Sequence, residues 1–151
     1  MGTPLFIVSE NRRARFDFQF LQEFDAGIVL FGYEVKAAKA GRFDIAGSFV
    51  QIRDSSAYLI GSRISLLQPK NSPATYTERR DRQLLLSETE IKLLAGSLHT
   101  KGLTVVPISV FIKRGLVKVH IALAKPKKNF DKKDAIRQRD LDRDMARAAS
   151  F

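Results

Sequence analysis

The run "LTVVPISVFIKRGLVKVHIALA", Leu103 to Ala124, reads as two long strands joined by a tight turn at Lys113–Gly115. In the second arm Val117, Val119, Ile121 and Leu123 point one way, and Lys118 and His120 point the other. That alternation describes an antiparallel strand with one wet, partly basic face. Just upstream, Ser87-Glu88-Thr89-Glu90 has the spacing of a capping box, in which the Ser hydroxyl accepts from a free backbone N–H while the Glu reaches back. A helix is expected from there, with Ile91, Leu94 and Leu98 on one face and Gly102 as its stop. Further back, "GSFVQIRDSSAYLIGSRISLL" reads as a hairpin, Phe49–Arg53 and Tyr58–Leu66 about a turn at Asp54–Ser56. The intervening "QPKNSPATYTERRDRQ" reads as a polar loop. Near the N-terminus Phe16, Phe18 and Phe20 alternate as a strand, and "AGIVLFG" (Ala26–Gly32) reads as a second strand. "YEVKAAKAGR" then forms a short helical turn or bend stopped by Gly41. About six strands and one good helix predict a mainly β protein with accessory helices, packed as a closed or nearly closed antiparallel barrel, because closure removes exposed edges.

At 151 residues, 44% of them hydrophobic and eleven of them Phe, the chain suits one domain with a real core. It has no cysteine, hence no disulfide framework and no thiolate chemistry. The opening "MGTPLFIVSE" lacks the features of a signal peptide, and no apolar run reaches membrane-spanning length, so a cytoplasmic protein without membrane contact is expected. Lys and Arg number 26 against 16 Asp and Glu, a net charge of +10. Such a balance bears on partners rather than fold, and it points to a polyanion, nucleic acid before an anionic membrane.

No catalytic motif accompanies this charge. HExxH, GxSxG and a phosphate-binding Gly-rich loop are all missing, and Gly27 to Gly32 lacks the Lys-Ser/Thr that would make it a P-loop. His120, mid-strand, reads as a surface or satisfied histidine. Asp131 and Asp134 read as partners of lysines or helix caps rather than metal ligands. No catalytic residue, metal or cofactor is therefore expected. Three basic clusters remain: Arg12, Arg13 and Arg15; Arg79, Arg80 and Arg82; Lys125, Lys127 and Lys128. With Lys113, Arg114 and Lys118 they could line one side of a barrel and engage phosphates. Tyr33, Phe43 and Phe130 could stack on unpaired bases, with core packing as the competing reading.

The closing segment from Lys125 to Phe151 holds nine basic residues against five Asp. If helical from Lys132, it places Arg139, Arg143 and Arg147 in one basic stripe, with Leu141, Met145 and Ala148 as a thin apolar stripe roughly opposite. Asp140 and Asp144 precede Arg143 and Arg147 by three residues, a weak helical support. That apolar stripe is too thin to dock firmly, so the segment reads as disordered alone and helical against a polyanion.

"NRRARFDFQFLQEFDAGIVLFGYEVKAAKAGR", "RRDRQLLLSETEI", "KGLTVVPISVFIKRGLVKVHIALAKPKK" and "DKKDAIRQRD", in that order and spacing, resemble the SsrA-binding protein family, small protein B. The resemblance runs from Asn11 to about Arg147. It implies an OB-like β-barrel that binds transfer-messenger RNA and acts with it in trans-translation, the rescue of stalled bacterial ribosomes. It further implies a tail that is helical in the vacant mRNA channel, and a protein monomeric when free. Residues 1–10 would be a lead, 11–125 the RNA-binding barrel and 126–151 the tail. By position, the resemblance assigns RNA contact to Asn11, Arg13, Asp25, Glu34, Lys36, Leu85 and Lys118. It assigns ribosome contact to Lys127, Lys128, Phe130, Asp131, Lys132, Lys133, Arg139, Arg143 and Arg147.

Five positions depart from the family pattern. Asp25 stands for the usual Glu, a shorter arm, and Lys133 for Arg, which keeps charge but loses the bidentate fork. Phe130 stands for His, Pro126 for Gly, which stiffens the junction of barrel and tail, and Leu141 for Trp. Two other readings stay open on the sequence: a generic OB-fold protein that coats RNA or sits in a ribosomal subunit, and a nuclease or RNA-modifying enzyme using Asp131, Asp134 or His120.

Overall fold

The computed structural model describes residues 6–67, 73–100 and 102–127, together with Arg137, Arg139, Asp140, Leu141 and Arg143. Among them, strands and helices follow in this chain order: β1 (Phe6–Glu10), α1 (Arg12–Asp17), β2 (Phe18–Ile28), α2 (Gly32–Lys39), β3 (Phe43–Asp44), β4 (Phe49–Arg53), β5 (Ser56–Ile60), β6 (Arg63–Ile64), β7 (Arg82–Leu85), α3 (Glu88–Ser97), β8 (Thr104–Lys113) and β9 (Leu116–Pro126). Seven strands form one antiparallel sheet in the order β1-β8-β9-β2-β7-β5-β4, and β3 pairs with β6 apart from it. The sheet curls until β4 lies beside β8, without a hydrogen-bonded ladder between them.

The longest hairpin of the sheet is β8–β9. Its two-residue turn needs positive φ at both positions, and Arg114 (52°) and Gly115 (76°) supply it. The same geometry closes β4–β5, where Asp54 and Ser55 take φ of 47° and 64°. Pro107, which can donate no ladder bond, sits where the β8–β9 register shifts, at a bulge. Asn11 fastens the β1–α1 corner to that bulge: its N–H donates to Ile108 O (2.8 Å), its Nδ2 donates to Pro107 O (3.0 Å), and its Oδ1 accepts from Ala14 N–H (3.3 Å), capping α1. The capping box expected at Ser87 is present, with Ser87 Oγ accepting from Glu90 N–H and Glu90 Oε1 accepting from Ser87 N–H. Leu94 of α3 is fully buried, while Ile91 and Leu98 are half-buried.

Phe24, Ala26, Leu59, Leu84, Val105, Val110, Val119 and Ile121 supply the sheet's part of the core, covered by Ala37 and Ala38 of α2 and Leu94 of α3. Three readings of the sequence change. The Phe16/Phe18/Phe20 alternation crosses a helix end, since Phe16 belongs to α1, and Phe18 opens one long strand, β2, that runs through Ile28. Phe18 and Phe20 pack with Ala14, Val106 and Ala124 in a small separate cluster. Phe6–Glu10 pairs with β8 as an edge strand. The end of the supposed polar loop is β7, whose alternation is hidden because one of its two inward residues is Arg82, 0% exposed, beside Leu84 at 1%.

Candidate nucleic-acid interface

On β2, Phe24, Ala26, Ile28 and Leu30 face the core, so Glu23, Asp25, Gly27 and Val29 face outward. Register then builds a surface around that row. Lys118 of β9 and Leu85 of β7 lie on either side of Gly27, and His120 lies beside Asp25. On the next strand Phe111 and Ser109 continue these two lines. Residues from positions far apart in sequence thus meet on one face: Asp25, Leu85 and Lys118. Leu85 is 54% exposed, so it is not a core residue. Gly27 leaves the surface flat between Leu85 and Lys118; a Cβ there would stand 3.3 Å from Leu85 Cβ. Lys118 is half-buried, and no carboxylate among the described residues pairs with it.

The acidic part of the row is bridged by one histidine. His120 Nδ1 donates to Asp25 Oδ1 (2.5 Å) and Nε2 donates to Glu23 Oε1 (2.8 Å). A neutral imidazole has one donor, so holding both carboxylates calls for the imidazolium. Burial opposes that charge, but the hydrogen bonds to Asp25 and then Glu23, with their charges, outweigh it and raise the His120 pKa above its ordinary value. A raised folded-state pKa contributes stability that is fully present below the unfolded value and is lost as pH rises through the folded one. The same titration leaves Glu23 and Asp25 without their shared cation, so RNA affinity should fall as pH rises through the raised His120 value. In His120→Gln that segment of the pH profile should flatten, as filter-binding titrations of wild type and variant would show; a wild-type profile retained in the variant would rule His120 out.

Beside this face two clefts share Ile7 and Ser109. One, about 270 Å³, is lined by Asp25, Phe111, Lys113 and His120 as well; the other, about 420 Å³, by Asn11, Arg12, Arg15 and Arg139 among others. Arg137, Arg139, Asp140, Leu141 and Arg143 are helical and exposed in the chain by itself, whereas the sequence predicts a helix there only against a polyanion.

The remaining expected contact residues separate into groups. Arg13 is exposed on α1, ion-paired to Asp17 (3.1 Å), and Lys36 is exposed on α2. Asn11, 6% exposed, and Glu34, 0% exposed, have their polar atoms bound inside the protein, so in this conformation they offer RNA no surface and act by placing their neighbours. Lys127 closes the end of α1, its N–H donating to Asp17 O (2.9 Å) and its Nζ to Arg15 O (3.1 Å). Lys128, Phe130, Asp131, Lys132, Lys133 and Arg147 lie outside the described residues. The Arg79/Arg80/Arg82 cluster is not a phosphate-binding patch as a whole. Arg82 donates to Glu34 through Nε (3.0 Å) and Nη2 (2.8 Å), and Arg80 closes on the same carboxylate. Burial of Glu34 would raise its pKa, but the bonds from Arg80, the Phe31 N–H and Arg82 hold it below the usual carboxylate range. Tyr76, whose hydroxyl also donates to Glu34 (3.0 Å), is pushed up to about 12 by burial and that carboxylate. Of the suggested stacking residues, Phe43 is core at 2% exposure, Tyr33 is half-buried and Phe130 lies outside the described residues. The exposed aromatic of this region is Phe31, which no sequence pattern singles out.

Comparison with known proteins shows the family to which the chain belongs. The family model described as SmpB protein matches residues 8–150. An SsrA-binding protein of Thermosynechococcus vestitus is 40% identical over 148 residues, 98% of this chain and 97% of that protein. One from Cupriavidus necator is 44% identical over 140 residues, 93% of each. A chain in the solved structure "tmRNA-SmpB: a journey to the center of the bacterial ribosome" superposes with a TM-score of 0.65 at 41% identity, covering 85% of this chain and 94% of that one. With most of its length matched at such identity, the chain belongs to the SmpB family, the SsrA-binding proteins.

Proposed function

We propose that this protein is a cytoplasmic, non-catalytic RNA-binding adaptor of trans-translation. Its barrel holds the tRNA-like end of transfer-messenger RNA and delivers that RNA to stalled ribosomes. Its basic tail enters the empty mRNA channel, where Arg139, Arg143 and Arg147 face RNA phosphates together with Lys127, Lys128, Lys132 and Lys133. The observation that carries the reading is the convergence of Asp25, Leu85 and Lys118, from three strands, on one outward sheet face around the flat position Gly27. Asp25 and Lys118 offer an acceptor and a cation, Leu85 an apolar surface, and a folded RNA presents hydroxyls, phosphates and unstacked bases to match them. Asn11 and Glu34 hold elements of the barrel together from inside it, and no proton transfer or bond cleavage is asked of any residue.

Lys118→Ala tests the face. Removing a charge-assisted hydrogen bond from this site should weaken RNA binding by about 1–3 kcal/mol. The melting temperature should not change, because the side chain makes no internal bond among the described residues. Wild-type affinity in the folded variant would remove Lys118 from the interface.

A further inference from the structure

The outward row of β2 continues past its polar positions. Val29 and Phe31 are 46% and 49% exposed, while Ile28 and Leu30, which alternate with them, pack on the core. Val29 N–H donates to Gln83 O (2.9 Å), so the row still runs beside β7, where Leu85 is also exposed. An apolar strip therefore extends the face that carries Lys118, and a contiguous strip marks a contact surface where scattered apolar residues do not.

Phe31 is exposed but firmly held. The Arg80 guanidinium lies 4.3 Å from its ring centroid, and the Tyr33 ring lies 5.4 Å away at a 33° tilt. Tyr33 meets Tyr76 edge-on at 5.4 Å. Tyr76 donates to Glu34, and Glu34 binds Arg80 and accepts from the Phe31 N–H (2.9 Å). These contacts close a ring around the aromatic. Core packing does not require such bracing of a half-exposed side chain. A stacking surface benefits from it, because freedom removed before binding is not lost on binding.

We propose that Phe31 is a base-stacking residue: an unpaired base of the bound RNA lies on the exposed part of its ring, next to Val29. Lys118 then takes a nearby phosphate. RNA is the occupant because the strip is continuous with Lys118, a cation unpaired among the described residues, in a chain of net charge +10. The proposal rests on the Asp25/Leu85/Lys118 face being the RNA face, and it adds a site that face does not contain.

The chain has no Trp, so Phe31→Trp places a single indole at the site. Titrated with intact transfer-messenger RNA, this variant should lose most of its indole emission on binding. Phe31→Ala should bind roughly five- to a hundredfold more weakly, and Phe31→Tyr close to wild type. If the indole emission does not change and Phe31→Ala binds normally while Lys118→Ala is weakened, the stacking site is wrong and the face stands. If Lys118→Ala also binds normally, face and stacking site fall together. Normal RNA affinity of Phe31→Ala combined with loss of ribosome rescue would assign the strip to a ribosomal partner, which equally overturns base stacking.

Discussion

Glu34→Ala should destabilise this protein by about 3–5 kcal/mol, a large share of a total domain stability of roughly 5–15 kcal/mol. Glu34 and Arg82 are both 0% exposed, and the carboxylate also receives Arg80, the Tyr76 hydroxyl and the Phe31 N–H. Removing it leaves a guanidinium buried without its counter-charge, and it unties α2, the segment around Tyr76 and β7 from one another. Arg82 would keep its bonds to Ser62, Arg80 O, Glu78 O and the Tyr76 hydroxyl, none of which carries a negative charge. Replacing both partners with apolar residues of similar size should be far milder, since breaking a buried pair is what costs most. Urea unfolding of Glu34→Ala and of Glu34→Leu/Arg82→Met separates the cases: the double variant should be the more stable. If Glu34→Ala alone melts like wild type, the network contributes little. The pKa gives an independent check. A depressed folded-state value means stability present above the unfolded carboxyl value and lost as pH falls through the folded one, so an acid limb present in wild type should shrink in the double variant.

The largest functional effect should come from removing the residues after Phe130. RNA binding should be kept, because Asp25, Leu85 and Lys118 lie on β2, β7 and β9, and the sheet that holds them ends at Pro126. Tagging of peptides on stalled ribosomes should be abolished. The truncation removes Lys132, Lys133, Arg137, Arg139, Arg143 and Arg147, six of the eight basic side chains of residues 126–151 that an RNA-walled channel would attract. Lys127, bonded to the end of α1, stays with the barrel. Two assays on one truncated protein decide the matter: a binding titration with transfer-messenger RNA, and peptide tagging on ribosomes stalled on a message without a stop codon. Normal tagging would make the tail dispensable; failure to bind the RNA would place part of the RNA site in it.

Much of this fold is legible in the sequence. The β8–β9 hairpin announces itself by alternation and a Lys-Arg-Gly turn, the third helix by its Ser87/Glu90 box, and the outward setting of Lys118 and His120 by period two. What is hidden has a common cause. β7 reads as polar loop because Arg82 fills an inward position, and only Glu34, distant in sequence, makes that tolerable. Asn11 and Glu34 look like surface groups by residue type, yet their partners lie across the fold at Pro107 and Arg82. Phe31 sits in the unbroken apolar run from Ala26 to Phe31, where nothing local says which side chains face out. Asp25 and Leu85 carry no sequence pattern of their own that marks a binding site. Resemblance to a family assigns them, and strand register puts them on a common face.

Recognition of one RNA by its shape stands or falls on competition binding of the intact chain. Transfer-messenger RNA is set against an ordinary tRNA and an unstructured RNA of equal length, at two salt concentrations. A strong preference for transfer-messenger RNA that persists at the higher salt is the expected result. Equal binding to all three, falling together as salt rises, would reduce the interaction to phosphate attraction and refute recognition by shape.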